Sequence, residues 1–389
     1  MTECLRIAVV TGSRADWSLL QPVLQGIRDH ADLQLQLWVT GSHLEKRFGH
    51  TIEQIIDRGF EVNARISLDL KTDKAVDTSQ ALAKSINGFA QTINSHRPDI
   101  LLVLGDRYEI FGAVQAALLA GIPIAHIAGG DITAGAYDDA MRHAISKLSH
   151  LHFVTNSKAR ERLIQMGESP EHIIHSGSPG IDAILATPRL TRAEIEQQLN
   201  WQFSEKNIAI SFHPATIDEL TPQQQVDELI AALTALPHNI GMVLSGSNAD
   251  TGGDLINNAL QNFAKQHDSA CFVQSLGQQG YYSVIAEMDL LVGNSSSGLY
   301  EAPSLHTATL NIGNRQRGRL QGDSVTNCIN QKKAIKTSIQ DCLQRPIKHF
   351  NNPYGDGRAS KIIIDHLAAI GSTQQLLAKT FIDLKCTEA

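Results

Sequence analysis

The chain has 389 residues, 42% of them hydrophobic, enough to bury two cores of ordinary size, so two domains are expected. Its 33 basic and 40 acidic residues leave a net charge of −7, which excludes an electrostatic case for nucleic acid or an anionic membrane as partner. No apolar run approaches the roughly 20 residues of a membrane helix, and five scattered cysteines without a CxxC pair argue against a disulfide framework or a zinc site. The opening MTECLRIAVVTGS reads as a strand entering a turn rather than as a signal peptide. A soluble, cytoplasmic protein with reduced thiols is the expectation.

The first expected strand, residues 5–11, ends in Thr11-Gly12-Ser13-Arg14. Backbone N–H groups at such a helix start suit a phosphate, and Arg14 adds a bidentate cation. Any strand-to-helix junction also needs such a turn, and the full GxGxxG pattern is missing. Strands follow at 33–40, 100–104, 122–127 and 151–155. Acids stand behind two of them: Asp106 after LLVLG, then Asp131, Asp138 and Asp139 after IPIAHIAGG, with His126 and the Arg142-His143 pair close by. In an open α/β sheet the loops at the carboxyl ends of strands face the ligand. Each acid alone could be a helix N-cap; the set reads as acid/base equipment. A helical stretch at 157–166 then ends in Gly167 with Pro170 beyond, which marks a domain boundary at 168/169.

The second half repeats the alternation, with strands at 173–175, 208–212, 240–244, 270–272, 290–293 and 308–312. Continuous apolar strands of this kind are buried on both faces, the mark of a parallel sheet between helices. The fold class is therefore α/β: two Rossmann-like doubly wound domains with a crevice between them. The first spans 1–168, completed by a C-terminal helical stretch within 360–389, and the second spans 169–359. His213 follows a strand directly, and residues 245–250 make a small polar loop. Ser295, Ser296 and Ser297 with Gly298 form a donor nest suited to a diphosphate. Glu301, one turn on, can accept from a ribose diol. Arg315, Arg317 and Arg319 follow the next strand and complete an anion cradle.

VTGSRAD, VLGDRYEIF, HIAGGD, YDDAMRHAISKLSHLHF, FHPAT, GSNAD, GNSSSGLYEAPSL, NIGNRQRGR and NPYGDGRA occur in this order over most of the chain. Together they resemble the hydrolysing UDP-N-acetylglucosamine 2-epimerases of bacterial sialic acid synthesis, and GNSSSG with NIGNRQRGR is specific for that group. The resemblance implies the glycosyltransferase B type of fold and a UDP-sugar substrate. It also implies a reaction without metal or other cofactor that releases UDP and the 2-epimer, and a homo-oligomer, dimer or tetramer. It assigns Arg14 to the diphosphate, and Asp106, Asp131 and Asp138 to C2 and the glycosidic oxygen. His213 would meet the phosphates, Tyr281 the uracil, Ser295, Ser296 and Ser297 phosphate, Glu301 the ribose, and Arg319 or a neighbouring arginine the anion.

The chain departs from the family's pattern at Asp131, where Glu is common, at Ala128, where His or Glu is frequent, and at Asp16-Trp17, where Glu-Tyr is frequent. These positions lie beside the sugar, so both N-acetylglucosamine and the 2,4-diacetamido-2,4,6-trideoxy sugar of legionaminic acid synthesis stay open. The implied chemistry needs one group to remove the C2 proton and another to deliver a proton to the opposite face. Asp106 is the first choice for acid/base work, Asp131 the second, and His213 is counted with the catalytic set. Two other readings remain: a UDP-sugar glycosyltransferase of the same fold, and a nucleotide-sugar sensor without turnover.

Overall fold

The computed structural model describes residues 4–46, 49–69, 74–132, 138–215, 220–247, 252–345, 347 and 349–383. The chain divides into two compact units, the first made of Met1–Ala183 with Tyr354–Ala389 and the second of Ile184–Pro353. In unit 1, β1 (Leu5–Thr11) leads into α1 (Arg14–Asp29), followed by β2 (Leu33–Thr40), α2 (Ile52–Asp57) and β3 (Ala64–Ile66). The alternation continues with α3 (Ala75–Ser95), β4 (Ile100–Leu104), α4 (Tyr108–Leu119), β5 (Ile124–Ile127) and α5 (Asp138–Leu148). It closes with β6 (Leu151–Val154), α6 (Ser157–Gln165), β7 (Ile173–His175) and α7 (Pro179–Ala186).

All seven strands are parallel, in the order β3-β2-β1-β4-β5-β6-β7. Alternate residues of the central strands feed separate cores on the two faces. Ile7, Val9, Ile100 and Leu102 pack on one side, while Ala8, Val10, Leu101 and Val103 pack on the other. Each fully buried Val, Ile or Leu contributes about 1.5–3 kcal/mol, which is why these strands carry no polar side. Helix α1 starts at a capping box: Ser13 accepts from the Asp16 N–H while the Asp16 carboxylate takes the Ser13 N–H at 2.7 Å. Such a cap is worth about 1 kcal/mol.

Unit 2 holds α8 (Arg192–Leu199), β8 (Lys206–Ser211), α9 (Pro222–Thr234), β9 (Ile240–Ser245), α10 (Gly253–Gln266) and β10 (Ala270–Val273). Then come α11 (Gly277–Ala286), β11 (Leu290–Gly293), α12 (Ser297–Tyr300), β12 (Ala308–Ile312), β13 (Val325–Cys328) and α13 (Lys332–Gln344). Its six strands are again parallel, in the order β10-β9-β8-β11-β12-β13. The chain then returns to unit 1 as α14 (Ala359–Ala368) and α15 (Thr373–Leu376). Ile363, Ile364 and Leu367 of α14 join the core that holds Leu20, Val23 and Leu24 of α1. The Asp182 carboxylate caps α14, taking the N–H groups of Ala359 at 3.1 Å and Ser360 at 2.6 Å.

Two differences from the sequence reading have clear causes. The boundary at 168/169 falls early, because β7 pairs with β6 (His152 beside Ile173) and belongs to the first sheet. Gly167 ends α6 without starting a linker. The expected strand at 122–127 begins instead at Ile124, since Pro123 has no N–H to donate. No helix among the described residues is long and apolar enough to cross a membrane. Four of the cysteines are free, and Cys386 lies outside the described residues.

Candidate active site

In a doubly wound sheet the ligand crevice opens where strand order reverses. In unit 1 that point lies between β1 and β4, so the turns after these strands flank it. Behind β1, Asp16 is buried and its carboxylate takes the Gly12 N–H at 2.8 Å and the Ser13 hydroxyl at 2.7 Å. Asp16 is therefore engaged in shaping the turn, while Arg14, the first residue of α1, is exposed. His43, from the turn after β2, is buried against Thr11 Oγ1 (3.1 Å) and Thr51 Oγ1 (2.7 Å), and burial lowers its pKa.

Behind β4, Asp106 forms a short ion pair with Arg142 of α5. The Arg142 guanidinium also approaches Asp139 at 3.9 Å, and Asp139 reaches His143 at 3.6 Å. Asp138 opens α5; burial first, and the Asp106 carboxylate second, raise its pKa above the ordinary Asp value. Asp106, Asp138, Asp139 and Arg142 thus form one cluster. Arg107 adds a half-exposed cation beside it, whose charge opposes the rise at Asp138.

Asp131 stands apart from this cluster. Each of its oxygens accepts a hydrogen bond at 2.8 Å, one from Thr155 Oγ1 and one from Asn156 Nδ2, so the carboxylate is bolted to the end of β6. Ala128, just before, ends β5 in the left-handed region at φ 64°. His126 is wholly buried and its pKa falls to about 3 through burial. It bonds the Gly105 carbonyl at 2.7 Å and Ser146 Oγ at 3.1 Å, which fixes the backbone before Asp106 and removes it from the acid/base equipment.

In unit 2 the order reverses between β8 and β11. His213 and Asn294, behind these two strands, hold each other. The His213 N–H donates to Asn294 Oδ1 and the His213 carbonyl accepts from Asn294 Nδ2, both at 2.8 Å. Gly293 makes this approach possible: at φ 147°, any Cβ there would lie 1.9 Å from the Ser211 carbonyl oxygen. The His213 ring meets Ser247 Oγ at 3.1 Å. The rest of that polar loop, Asn248, Ala249 and Asp250, lies outside the described residues.

The expected helix behind Ser295, Ser296 and Ser297 is a single turn, α12, followed by a 3-10 turn at Ala302–Leu305. A helix dipole therefore adds little, and the donors here are hydroxyls and local N–H groups. The Tyr281 hydroxyl is engaged by Ser297 in a short contact and faces the Glu301 carboxyl, which burial raises to about 7. Of the three arginines, Arg315 turns to this loop: Arg315 Nη1 and Gln316 Nε2 donate to the Asn294 carbonyl at 3.1 and 2.8 Å. Arg317 and Arg319 are exposed.

Sequence reasoning missed Arg107, Glu109, Thr155, Asn156 and Asn294. Arg107 carried the same signal as Asp106, a charge directly behind a strand. Glu109 lies two residues from its partner Arg107, and Thr155, Asn156 and Asn294 are legible only through contacts far apart in the chain.

The family described as UDP-N-acetylglucosamine 2-epimerase matches residues 25–368. The chain is 34% identical over 374 residues to the UDP-N,N'-diacetylbacillosamine 2-epimerase (hydrolyzing) of Legionella pneumophila, covering 96% of this chain and 98% of that one. It is 34% identical to the polysialic acid biosynthesis protein P7 of Escherichia coli, covering 90% of each. The solved UDP-GlcNAc 2-epimerase of Neisseria meningitidis, bound to UDP-GlcNAc, shares the fold with a TM-score of 0.77 at 19% identity, over 93% of this chain and 99% of that one. The match across most of its length and the doubly wound units place this chain in the UDP-N-acetylglucosamine 2-epimerase family.

Proposed function

We propose that the protein is a hydrolysing 2-epimerase of a UDP-linked 2-acetamido sugar. One observation carries the reading: Asp106 and Asp138, two carboxyls in one cluster with a shared arginine, at the ligand end of a sheet whose relatives are named for this reaction. Apposed acids let one hold a proton while its neighbour accepts one. Asp106, paired with Arg142, removes the proton from C2. The C1–oxygen bond to UDP breaks as the C1–C2 double bond forms, leaving a glycal. Asp138, which keeps its proton more readily than an ordinary aspartic acid, returns one to C2 from the opposite face. Water adds at C1 and loses a proton, so the sum is UDP-sugar plus water to UDP plus the free 2-epimer.

The leaving diphosphate needs cations and donors. Within unit 1 the candidates are Arg14 and Arg107; within unit 2 they are Ser295, Ser296, His213 and Arg315, with Glu301 as the candidate for the ribose. Asp131 becomes a fixed carboxylate that orients the end of β6 rather than a proton carrier. The two sugars named for relatives, N-acetylglucosamine and N,N'-diacetylbacillosamine, are the two substrates to offer as UDP conjugates.

In deuterated water, UDP and a free manno-configured sugar carrying one deuterium at C2 are expected from one or both conjugates. UDP release without C2 deuterium overturns the elimination route. Transfer of the sugar to an added acceptor would favour a glycosyltransferase, and binding without UDP release a sensor.

A further inference from the structure

Glu109 takes no part in the chemistry above, yet its side chain is wholly buried at the ligand end of unit 1. The turns after β1, β2 and β4 converge on it. A Cβ on Gly12 would lie 2.6 Å from Glu109 Oε1, and one on Gly41 would lie 3.2 Å from the same atom. Oε1 also receives Arg107 Nε in a short ion pair, while Oε2 is buried with no hydrogen-bond partner among the described residues. A buried carboxylate so poorly satisfied is a cost to the fold, and replacing a whole buried ion pair by hydrophobic residues is often neutral or stabilising. Stability therefore does not explain it.

Its partner does. The Arg107 side chain is 42% exposed, and its Nη atoms have no hydrogen bond to the described residues. Its charge is felt at Asp138 and at His43, so the guanidinium lies near the acid cluster, with Cζ 5.9 Å from the centre of the Tyr108 ring. An unheld arginine would sample many rotamers there, and ordering it on demand would cost affinity.

We propose that Glu109 is a positioning residue, which clamps Arg107 Nε so that its Nη edge stands preordered for an anionic group of the ligand. The reading of that anion as a diphosphate rests on the proposed function; the clamp itself rests on the geometry.

Glu109→Gln keeps an acceptor for Nε without the charge, and Glu109→Met removes the acceptor. In the protein without ligand, the Arg107 Nε–H resonance, identified by its loss in Arg107→Lys, should be slow to exchange with solvent in the wild type. It should be fast in Glu109→Met and intermediate in Glu109→Gln. UDP affinity by calorimetry should fall about tenfold in Glu109→Met and in Arg107→Ala, and no further in the double variant, because coupled residues are non-additive. The melting temperature of the double variant Glu109→Met/Arg107→Ala, which replaces the whole pair, should match or exceed that of the wild type.

Additive losses of UDP affinity, or a melting temperature that falls in step with affinity, overturn the proposal and make Glu109 a structural residue. The binding cycle needs no turnover, so a wild type that binds UDP but leaves C2 unexchanged would sink the epimerase reading alone. A wild type that does not bind UDP would sink the anion half of this proposal with it.

Discussion

The two units share a strand order around the point of reversal, yet they put opposite chemistry there. Unit 1 brings five acids, Asp106, Glu109, Asp131, Asp138 and Asp139, and two arginines to the ends of β4 and β5, several of them in direct ion pairs. Among its described residues, unit 2 brings neutral donors to β8 and β11, with one arginine on a backbone carbonyl and one acid, Glu301, raised by burial. Coupled charges suit proton transfer, since each sets its neighbour's readiness to ionise. Fixed neutral donors suit a ligand already charged, because they need not change state when it arrives. On the proposed reading, the same backbone frame serves reaction in one copy and recognition in the other.

The sharpest way to break that division is to neutralise one acid at a time. Asp106→Asn should lower kcat by about 10²–10⁴-fold, the range typical of lost acid/base help, and leave UDP affinity within about threefold. Asp131→Asn keeps hydrogen bonding to Thr155 and Asn156, so its loss should stay near tenfold, as expected for misplacement rather than a lost proton carrier. Rates measured at saturating substrate test both. A loss in Asp131→Asn equal to that of Asp106→Asn would move the second acid from Asp138 to Asp131.

In unit 2 the corresponding change is Glu301→Gln. It should weaken UDP binding about tenfold or more, the worth of a charge-assisted hydrogen bond, with turnover of bound substrate nearly intact. The wild-type enzyme should also show a pH signature. In the proposed role the Glu301 carboxyl, raised to about 7 by burial, accepts from the ribose only when ionised, so affinity is expected to be full above that pH and lost as pH falls through it. Calorimetry from pH 8 to pH 6 should show about a tenfold fall in the wild type and a flat line in Glu301→Gln.

The smallest effect separates the units by stability. Burial lowers the pKa of four histidines of unit 1, His43, His126 to about 3, His150 to about 4, and His152. They take up a proton less readily when folded than in the unfolded chain, where histidine charges below about 6.5. Their contribution is thus whole above that pH and shrinks as pH falls below it. Glu301 has the opposite sign, since the folded form holds a proton that the unfolded form releases above about 4.5. Hydrogen exchange at pH 5 against pH 7, corrected for intrinsic rates, should show protection lost in unit 1 peptides first. Equal loss in both units would mean that other groups govern acid sensitivity.

Much of this frame was legible from residues alone. Runs such as IAVV and LLVL have no polar side and fit only a sheet covered on both faces. Strands β3 and β13 escaped notice for the converse reason: Arg65, Thr326 and Asn327 are exposed, and these edge residues are extended because a neighbour pairs with them. The acids were visible as a group because each follows a strand. Arg142 was noticed near them but not its pairing, and Asn156 was not noticed at all, since Arg142 meets Asp106 and Asn156 meets Asp131 across 36 and 25 residues. Nor could spacing choose among Arg315, Arg317 and Arg319; the turn behind β12 does that by sending only the first to the Asn294 carbonyl.

The cap that Asp182 offers to Ala359 and Ser360 has a consequence for the order in which the protein is made. The whole of unit 2 is translated between donor and acceptor. At ~5–20 residues per second, the carboxylate waits ~10–35 s on the ribosome before its helix arrives. Meanwhile Leu20, Val23 and Leu24 of α1 lack the cover of Ile363, Ile364 and Leu367. Unit 2, a single uninterrupted stretch, can close first although unit 1 begins first. The nascent chain is therefore expected to mature out of sequence, with an apolar face left open to chaperones until α14 emerges.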